Sequence, residues 1–166
     1  IPNDHAVVVL SRDTDGDLAT TDDIELYKAS FSGATWSALS RLTNDSVPDL
    51  SPTVLYAPSG QPRLVWNKGG RIHLLEGDWA TATPIPSIID ESVNLMDISL
   101  AQDAQGRLVM IWQDNSAEGA DLFYSVYDSG STRWSSRLQL THDEPVESSP
   151  APVLDGGGAL RLAYTK

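Results

Sequence analysis

The sequence contains no cysteine, so neither a disulfide nor a thiolate-bound metal can belong to its design. Basic residues are scarce: 11 Lys and Arg stand against 23 Asp and Glu, for a net charge of −12. A nucleic-acid surface needs clustered cations to displace counterions from phosphate, and docking on an anionic bilayer needs the same cations, so neither is an expected partner. Long hydrophobic runs are missing as well. The stretch Ala6-Val7-Val8-Val9-Leu10 has the length of a strand, far short of the roughly 18 to 20 residues that a membrane-spanning helix requires. Helix signals are nearly absent, with one candidate turn at Ile88-Ile89-Asp90-Glu91-Ser92-Val93.

What remains is short apolar blocks fenced by Gly, Pro, Asn, Asp and Ser, which is the pattern of strands and turns. The 166 residues suffice for one substantial core, and the fold class read from them is all-β. Internal landmarks recur. Trp36 and Trp134, Leu42-Thr43 and Leu140-Thr141, and Ser51-Pro52 and Ser149-Pro150 each stand 98 residues apart. A degenerate copy lies between them, with Trp79 and with Leu64-Val65-Trp66 anticipating Val109-Met110-Ile111-Trp112. The unit is therefore about 49 residues long and holds four strand-like blocks, such as Pro52 to Tyr56, Arg63 to Trp66, Arg71 to Leu75 and Trp79 to Ile85. Tight turns are expected at Ala57 to Gly60 and at Asp103 to Gly106. Strands apolar on both faces, such as Ile24 to Phe31, suit a sheet packed between two neighbours better than a half-exposed one. Four-stranded antiparallel sheets, each buried by the next, make a β-propeller.

The order Leu-Val-Trp, polar loop, Asp121-Leu122-Phe123-Tyr124-Ser125-Val126-Tyr127-Asp128, then Gly, Trp134-Ser135 and Leu140-Thr141 resembles the blade repeat of bacterial secreted propellers related to the sialidase-like (Asp-box) and TolB-like groups. Ser30-Phe31-Ser32-Gly33-Ala34-Thr35-Trp36 keeps the Gly-x-Thr-Trp tail of an Asp box without its Asp. The resemblance implies a propeller region over residues 1–166, with repeats at roughly 5–48, 49–95, 96–147 and a partial 148–166, about three and a quarter blades. A ring needs about four blades or more. The chain also lacks an initiating Met and its ends fall inside repeats, so it is expected to be a piece of something longer, or to associate with copies of itself. Its expected partners are other blades or copies of the same chain, with a protein or glycan ligand as a further partner.

Asp13-Thr14-Asp15-Gly16-Asp17, followed by Asp22-Asp23, is the most informative segment. Alternating carboxylates around a Gly match the way short acidic loops wrap oxygen ligands around Ca2+. Asp13, Asp15, Asp17, Asp22 and Asp23 are therefore the candidate metal ligands and Ca2+ the candidate cofactor, the plainer reading being a solvated hairpin tip. The loop departs from an EF-hand, since Gly16 precedes the third Asp. Its counterparts, Asn67-Lys68-Gly69-Gly70 and the segment from Asp114 to Asp121, are shorter or less acidic. Trp36, Trp79 and Trp134 recur once per unit and are read as packing residues, with Trp66 and Trp112 as core. His5, His73 and His142 form no ligand spacing, and no nucleophile elbow, phosphate loop or dinucleotide fingerprint occurs. Asn44-Asp45-Ser46 is a formal N-glycosylation sequon. The function expected from this is a non-catalytic binding or scaffold module of an extracellular or cell-surface protein. The alternative is part of a sialidase-like, glycan-active propeller enzyme.

Overall fold

Residues Leu64, Val65 and Trp66 explain the architecture in miniature. Successive side chains of a strand point to opposite faces, so three consecutive apolar residues need cover on both sides. Leu64 and Trp66 pack with Leu26, Leu75 and Trp79 on one face, while Val65 packs with Ile98, Leu100, Met110 and Trp112 on the other. The sheet that carries them is thus the filling between two others.

The computed structural model describes residues 5–17, 19–56, 60–77, 79, 95–117, 119–128, 130–131, 133–142 and 146–166. These form an all-β structure of four antiparallel sheets, none of them closed on itself. The first sheet holds β1 (His5–Asp13), β2 (Ile24–Ser32), β3 (Thr35–Trp36) and β4 (Ser40–Arg41). The second holds β5 (Asp49–Tyr56), β6 (Pro62–Lys68) and β7 (Arg71–Glu76). The third holds β8 (Leu95–Gln102), β9 (Leu108–Ala117), β10 (Gly119–Asp128), β11 (Arg133–Trp134) and β12 (Leu138–Gln139). The fourth holds β13 (Ser148–Leu154) and β14 (Leu160–Thr165). No helix long and apolar enough to cross a membrane occurs among the described residues.

The recurring sequence landmarks have local physical jobs. The outermost strand of the first and third sheets is broken in two, β3 then β4 and β11 then β12, and a serine bridges each break. Ser37 Oγ accepts from the Ser30 amide at 3.1 Å and Ser135 Oγ from the Val126 amide at 3.1 Å. The threonines of the two Leu-Thr pairs do the same one turn later, Thr43 Oγ1 taking the Leu26 amide at 2.9 Å and Thr141 Oγ1 the Leu122 amide at 2.8 Å. A hydroxyl thereby answers an N–H that the interrupted ladder leaves over, part-buried at Leu26 and Leu122 and exposed at Ser30 and Val126. The tryptophans lean on an aromatic of the neighbouring strand, Trp36 on Phe31 at 5.4 Å and Trp134 on Tyr127 at 5.2 Å between ring centroids.

The first strands of the second, third and fourth sheets share a bulge, marked by a non-glycine residue in the left-handed region: Ser51, Asp97 and Ser149, with φ of 52°, 47° and 53°. Side chains tie these strands across the stack. Ser11 Oγ donates to Asp49 O at 2.8 Å, Thr53 Oγ1 to Ile98 O at 3.2 Å, and the Ser149 amide donates to Asp97 Oδ2 at 3.1 Å.

Two expectations change. The segment from Asp114 to Asp121, read as a loop, is mostly strand, because β9 runs to Ala117 and β10 starts at Gly119. Trp79 is buried and Trp134 packs on the core between the second and third sheets, yet Trp36 is 52% exposed. Its side of the first sheet has no further sheet against it among the described residues. The blocks read at residues 80–85 and 88–93, most of the turn at 57–60, and residues 1–4 lie outside the described residues.

Candidate functional site

The loop between β1 and β2 is built by its own carboxylates. Asp13 Oδ1 accepts from the amides of Asp15 at 3.1 Å and Gly16 at 2.7 Å, and Gly16 meets the turn with φ of 82°. Asp23 Oδ2, arriving from the other strand, accepts from the amides of Thr14 and Asp15 at 3.0 and 2.9 Å and from the Thr14 hydroxyl at 2.9 Å. The loop is therefore cinched around residues 13 to 15, and each strand supplies one acid. The Thr14 hydroxyl is the main reason the Asp23 carboxyl sits below its ordinary value, against the opposing effect of desolvation, with backbone N–H groups adding to it.

The same arrangement leaves oxygens over. Asp13, Asp15 and Asp23 each place a carboxylate oxygen within 4.8 Å of the others. Asp13 Oδ2 and Asp23 Oδ1 are buried and have no hydrogen-bond donor. No lysine or arginine pairs with the three among the described residues. Asp17 and Asp22 are not brought into this group: Asp17 Oδ1 instead accepts the Ala19 amide at 3.0 Å. Hard oxygen ligands without a counter-charge suit a divalent cation of the Ca2+ type, so the donor set fits that ion.

The strands carry four buried acids that the sequence reading passed over: Glu25 in β2, Asp49 in β5, Asp114 in β9 and Glu147 just before β13. Each is engaged inside the fold. Glu25 Oε1 accepts from Arg41 at 2.8 Å and from the Asp45 amide at 2.7 Å. Asp49 Oδ1 accepts from Trp66 Nε1 at 2.6 Å and lies 3.8 Å from Lys68 Nζ, which also pairs with Asp45. Asp114 pairs with Arg137 at 2.6 Å, and Glu147 with Lys166 at 4.0 Å. Burial pushes the Asp49 carboxyl up, moderated by hydrogen bonds from Thr43 and Trp66 and by the charge of Lys68. The signal for this set was an acid adjoining an apolar strand block, as in Ile24-Glu25-Leu26, where a solvated position is not on offer.

The opposite hairpin ends are closed differently. Asp103 Oδ1 takes the amides of Gln105 and Arg107, each at 2.9 Å, while Oδ2 holds Arg107 Nε at 2.6 Å. Asp155 repeats this with Gly157, Ala159 and Arg161. Both carboxyls lie below their ordinary value. For Asp103, desolvation pulls the other way and is outweighed by those amides and Arg107 together; for Asp155, Arg161 leads. These are turn-closing acids.

No family model matches the sequence, and no curated protein matches it. Solved structures do share its fold. An endo-arabinase from Bacteroides thetaiotaomicron VPI-5482 superimposes with a TM-score of 0.57 at 13% identity, over 87% of this chain and 66% of that one. An endo-1,4-beta-xylanase from the same organism gives 0.56 at 13% identity, over 96% and 66%. MPT-1, a GDP-Man-dependent mannosyltransferase from Leishmania mexicana, gives 0.57 at 10% identity, over 96% and 59%. The chain spans 59 to 66% of the length of these three proteins, and at such identity the likeness is one of fold.

Proposed function

We propose that this chain forms about three and a quarter blades of a β-propeller and serves as a non-catalytic binding or scaffold module of a larger secreted or surface protein, with Ca2+ held by Asp13, Asp15 and Asp23. The blade reading is supported by sheets that pack face to face in chain order, with the first strands of the second, third and fourth side by side and bent at the same place. The observation that carries the non-catalytic reading is the engagement of the buried acids: Glu25, Asp49, Asp114 and Glu147 each face a cation or an N–H of the fold. A general acid or base needs access to a substrate proton, and these groups join strands instead. Buried oxygens without a hydrogen-bond donor occur at Glu25 Oε2 and Asp49 Oδ2 as well as at Asp13 Oδ2 and Asp23 Oδ1. Glu25 and Asp49 have Arg41 and Lys68 beside them, whereas the β1–β2 loop acids pair with no Lys or Arg among the described residues; a bound Ca2+ supplies charge there, pinning the two strands together.

Thermal melting with and without calcium tests this. Millimolar Ca2+ is expected to raise the melting temperature by about 3 °C, corresponding to roughly 1 kcal/mol for a domain of this size. Asp15→Ala abolishes the rise. An unchanged wild-type melt removes the metal from the account.

A second reading, part of a glycan-active enzyme, is favoured by the structural neighbours, whose names are those of an endo-arabinase, an endo-xylanase and a mannosyltransferase. Asp49, with its raised carboxyl, is the acid to test. Release of reducing ends from arabinan or xylan, lost in Asp49→Asn, would put this reading in place of the first. The first reading expects no release.

A further inference from the structure

The interface between the second and third sheets is filled, whereas the one between the first and second holds a cavity. In the filled interface, Tyr127 is buried with Val65, Ile72 and Leu74 and sets its ring 5.2 Å from that of Trp134. Arg63 pairs there with Glu76 at 2.7 Å and donates to Gly106 O at 3.2 Å. The cavity, of about 260 Å³, lies between Val7, Lys28 and Ser30 of the first sheet and Tyr56, Gly77 and Trp79 on the side of the second. It sits toward the end of the β1–β2 hairpin remote from the acidic loop.

Strand register gives the cause. Leu26 and Leu122 stand in equivalent places, each donating its amide to a threonine, and the shared bulge aligns the second sheet with the third. From these anchors the pairing puts Val7, Lys28 and Ser30 of the first sheet where the second has Arg63, Leu74 and Glu76. It puts Gly77 where the third sheet has Tyr127. Three of these four replacements remove bulk, and Gly77 removes a whole ring. The fourth sets a cation where the filled interface has a leucine. Lys28 is half-buried, with its Nζ 5.7 Å from the centroid of the Trp79 ring. No acid pairs with it among the described residues, although the chain carries 23. An aromatic face compensates a partly desolvated ammonium only in part, so the site favours an anion.

We infer that this cavity is a binding site for a compact aromatic carboxylate. The ring of the ligand takes the volume that Tyr127 fills in the next interface, against Trp79. Its carboxylate meets the Lys28 ammonium, with the Ser30 hydroxyl as a further donor on the same wall. A cavity of about 260 Å³ falls just below the roughly 300 to 1,000 Å³ that hold drug-sized ligands, so the occupant is a single ring with its charged arm. This ligand class deepens the binding-module reading and rests on it. The calcium melt and the titration below fail separately, because the cavity and the acid group of the β1–β2 loop share no residue.

The probe is 4-hydroxyphenylacetate, titrated into the full chain by calorimetry in calcium-free buffer. Binding is expected with a Kd of about 0.1 to 1 mM. 4-Methylphenol keeps the ring without the carboxylate and should bind about tenfold or more weakly. Lys28→Leu installs the residue that the second sheet carries in this place, so it should keep the wild-type circular dichroism while weakening binding about tenfold or more. Lys28→Arg keeps the charge and should stay within about threefold of wild type. Absence of binding at about 10 mM ligand, equal binding of 4-methylphenol, or equal binding to the Lys28→Leu variant would each overturn the inference. So would glucuronate binding as tightly as the probe, since the cavity would then select the charge and not the aromatic ring.

Discussion

Two hairpins at the same end of neighbouring sheets, β1–β2 and β6–β7, solve one problem in opposite ways. The β6–β7 turn is as short as a reversal can be: Lys68 pairs with Arg71 across Gly69 and Gly70, whose φ values are 55° and 81°. Asn67 Oδ1 takes the Gly70 amide at 2.9 Å, and the Gly69 amide reaches Pro48 O at 3.2 Å. Its donors are answered within the fold. The β1–β2 connection satisfies its amides with charged oxygens, and Asp13 and Asp23, used that way, each keep a second, buried oxygen without a hydrogen-bond donor. A turn closed by amide groups is finished on its own, whereas one closed by carboxylates accumulates charge that something else must neutralise.

The contrast can be broken most forcefully at Gly69. A Cβ added there would come within 2.6 Å of Val47 Cγ1 in a backbone conformation that L-residues avoid. Gly69→Ala should therefore cost about 2 kcal/mol in urea unfolding. Gly16 shares the left-handed geometry but faces open space, so Gly16→Ala should cost about half as much. A smaller effect sharpens the other hairpin: in calcium-free buffer Asp15→Ala should change stability by less than about 0.5 kcal/mol, because relief of repulsion offsets the lost bond to the Asp17 amide. The smallest concerns His73, whose ring packs tilted against Trp66 at 5.2 Å between ring centroids. Burial, then the charges of Lys68 and Arg71, hold its pKa below 6.5 against the opposing pull of Asp45. The unfolded chain consequently binds the proton more readily, so stability should fall as pH drops through 6.5 toward the folded value. His73→Phe keeps a ring on Trp66 and should flatten that part of the urea-midpoint profile.

The strand pattern was legible because burial on both faces writes itself as unbroken apolar runs, and Leu64-Val65-Trp66 reads the same in one dimension as in three. The landmarks at a spacing of 98 were legible as recurrences but not as bonds, since nothing in a Trp-Ser or Leu-Thr pair announces that its hydroxyl will cap an interrupted ladder. In the acidic loop the alternation of Asp13 and Asp15 was readable. That Asp23 would return from the far strand to join them while Asp17 and Asp22 stayed out depends on the β1–β2 register, in which Asp13 lies opposite Ile24. Trp36 shows a further limit: its twin Trp134 is covered, and the difference lies in the neighbouring sheet.

The left-handed residues Ser51, Asp97 and Ser149 carry a last consequence. Because the first strands of three adjacent sheets turn at the same step, each sheet offers its successor the same rim to rest on. The seams between these sheets are thereby kept alike, whatever the hairpins at their ends do. What differs from sheet to sheet is then free to be the connections at the tips, which is where the acid-rich β1–β2 loop is found.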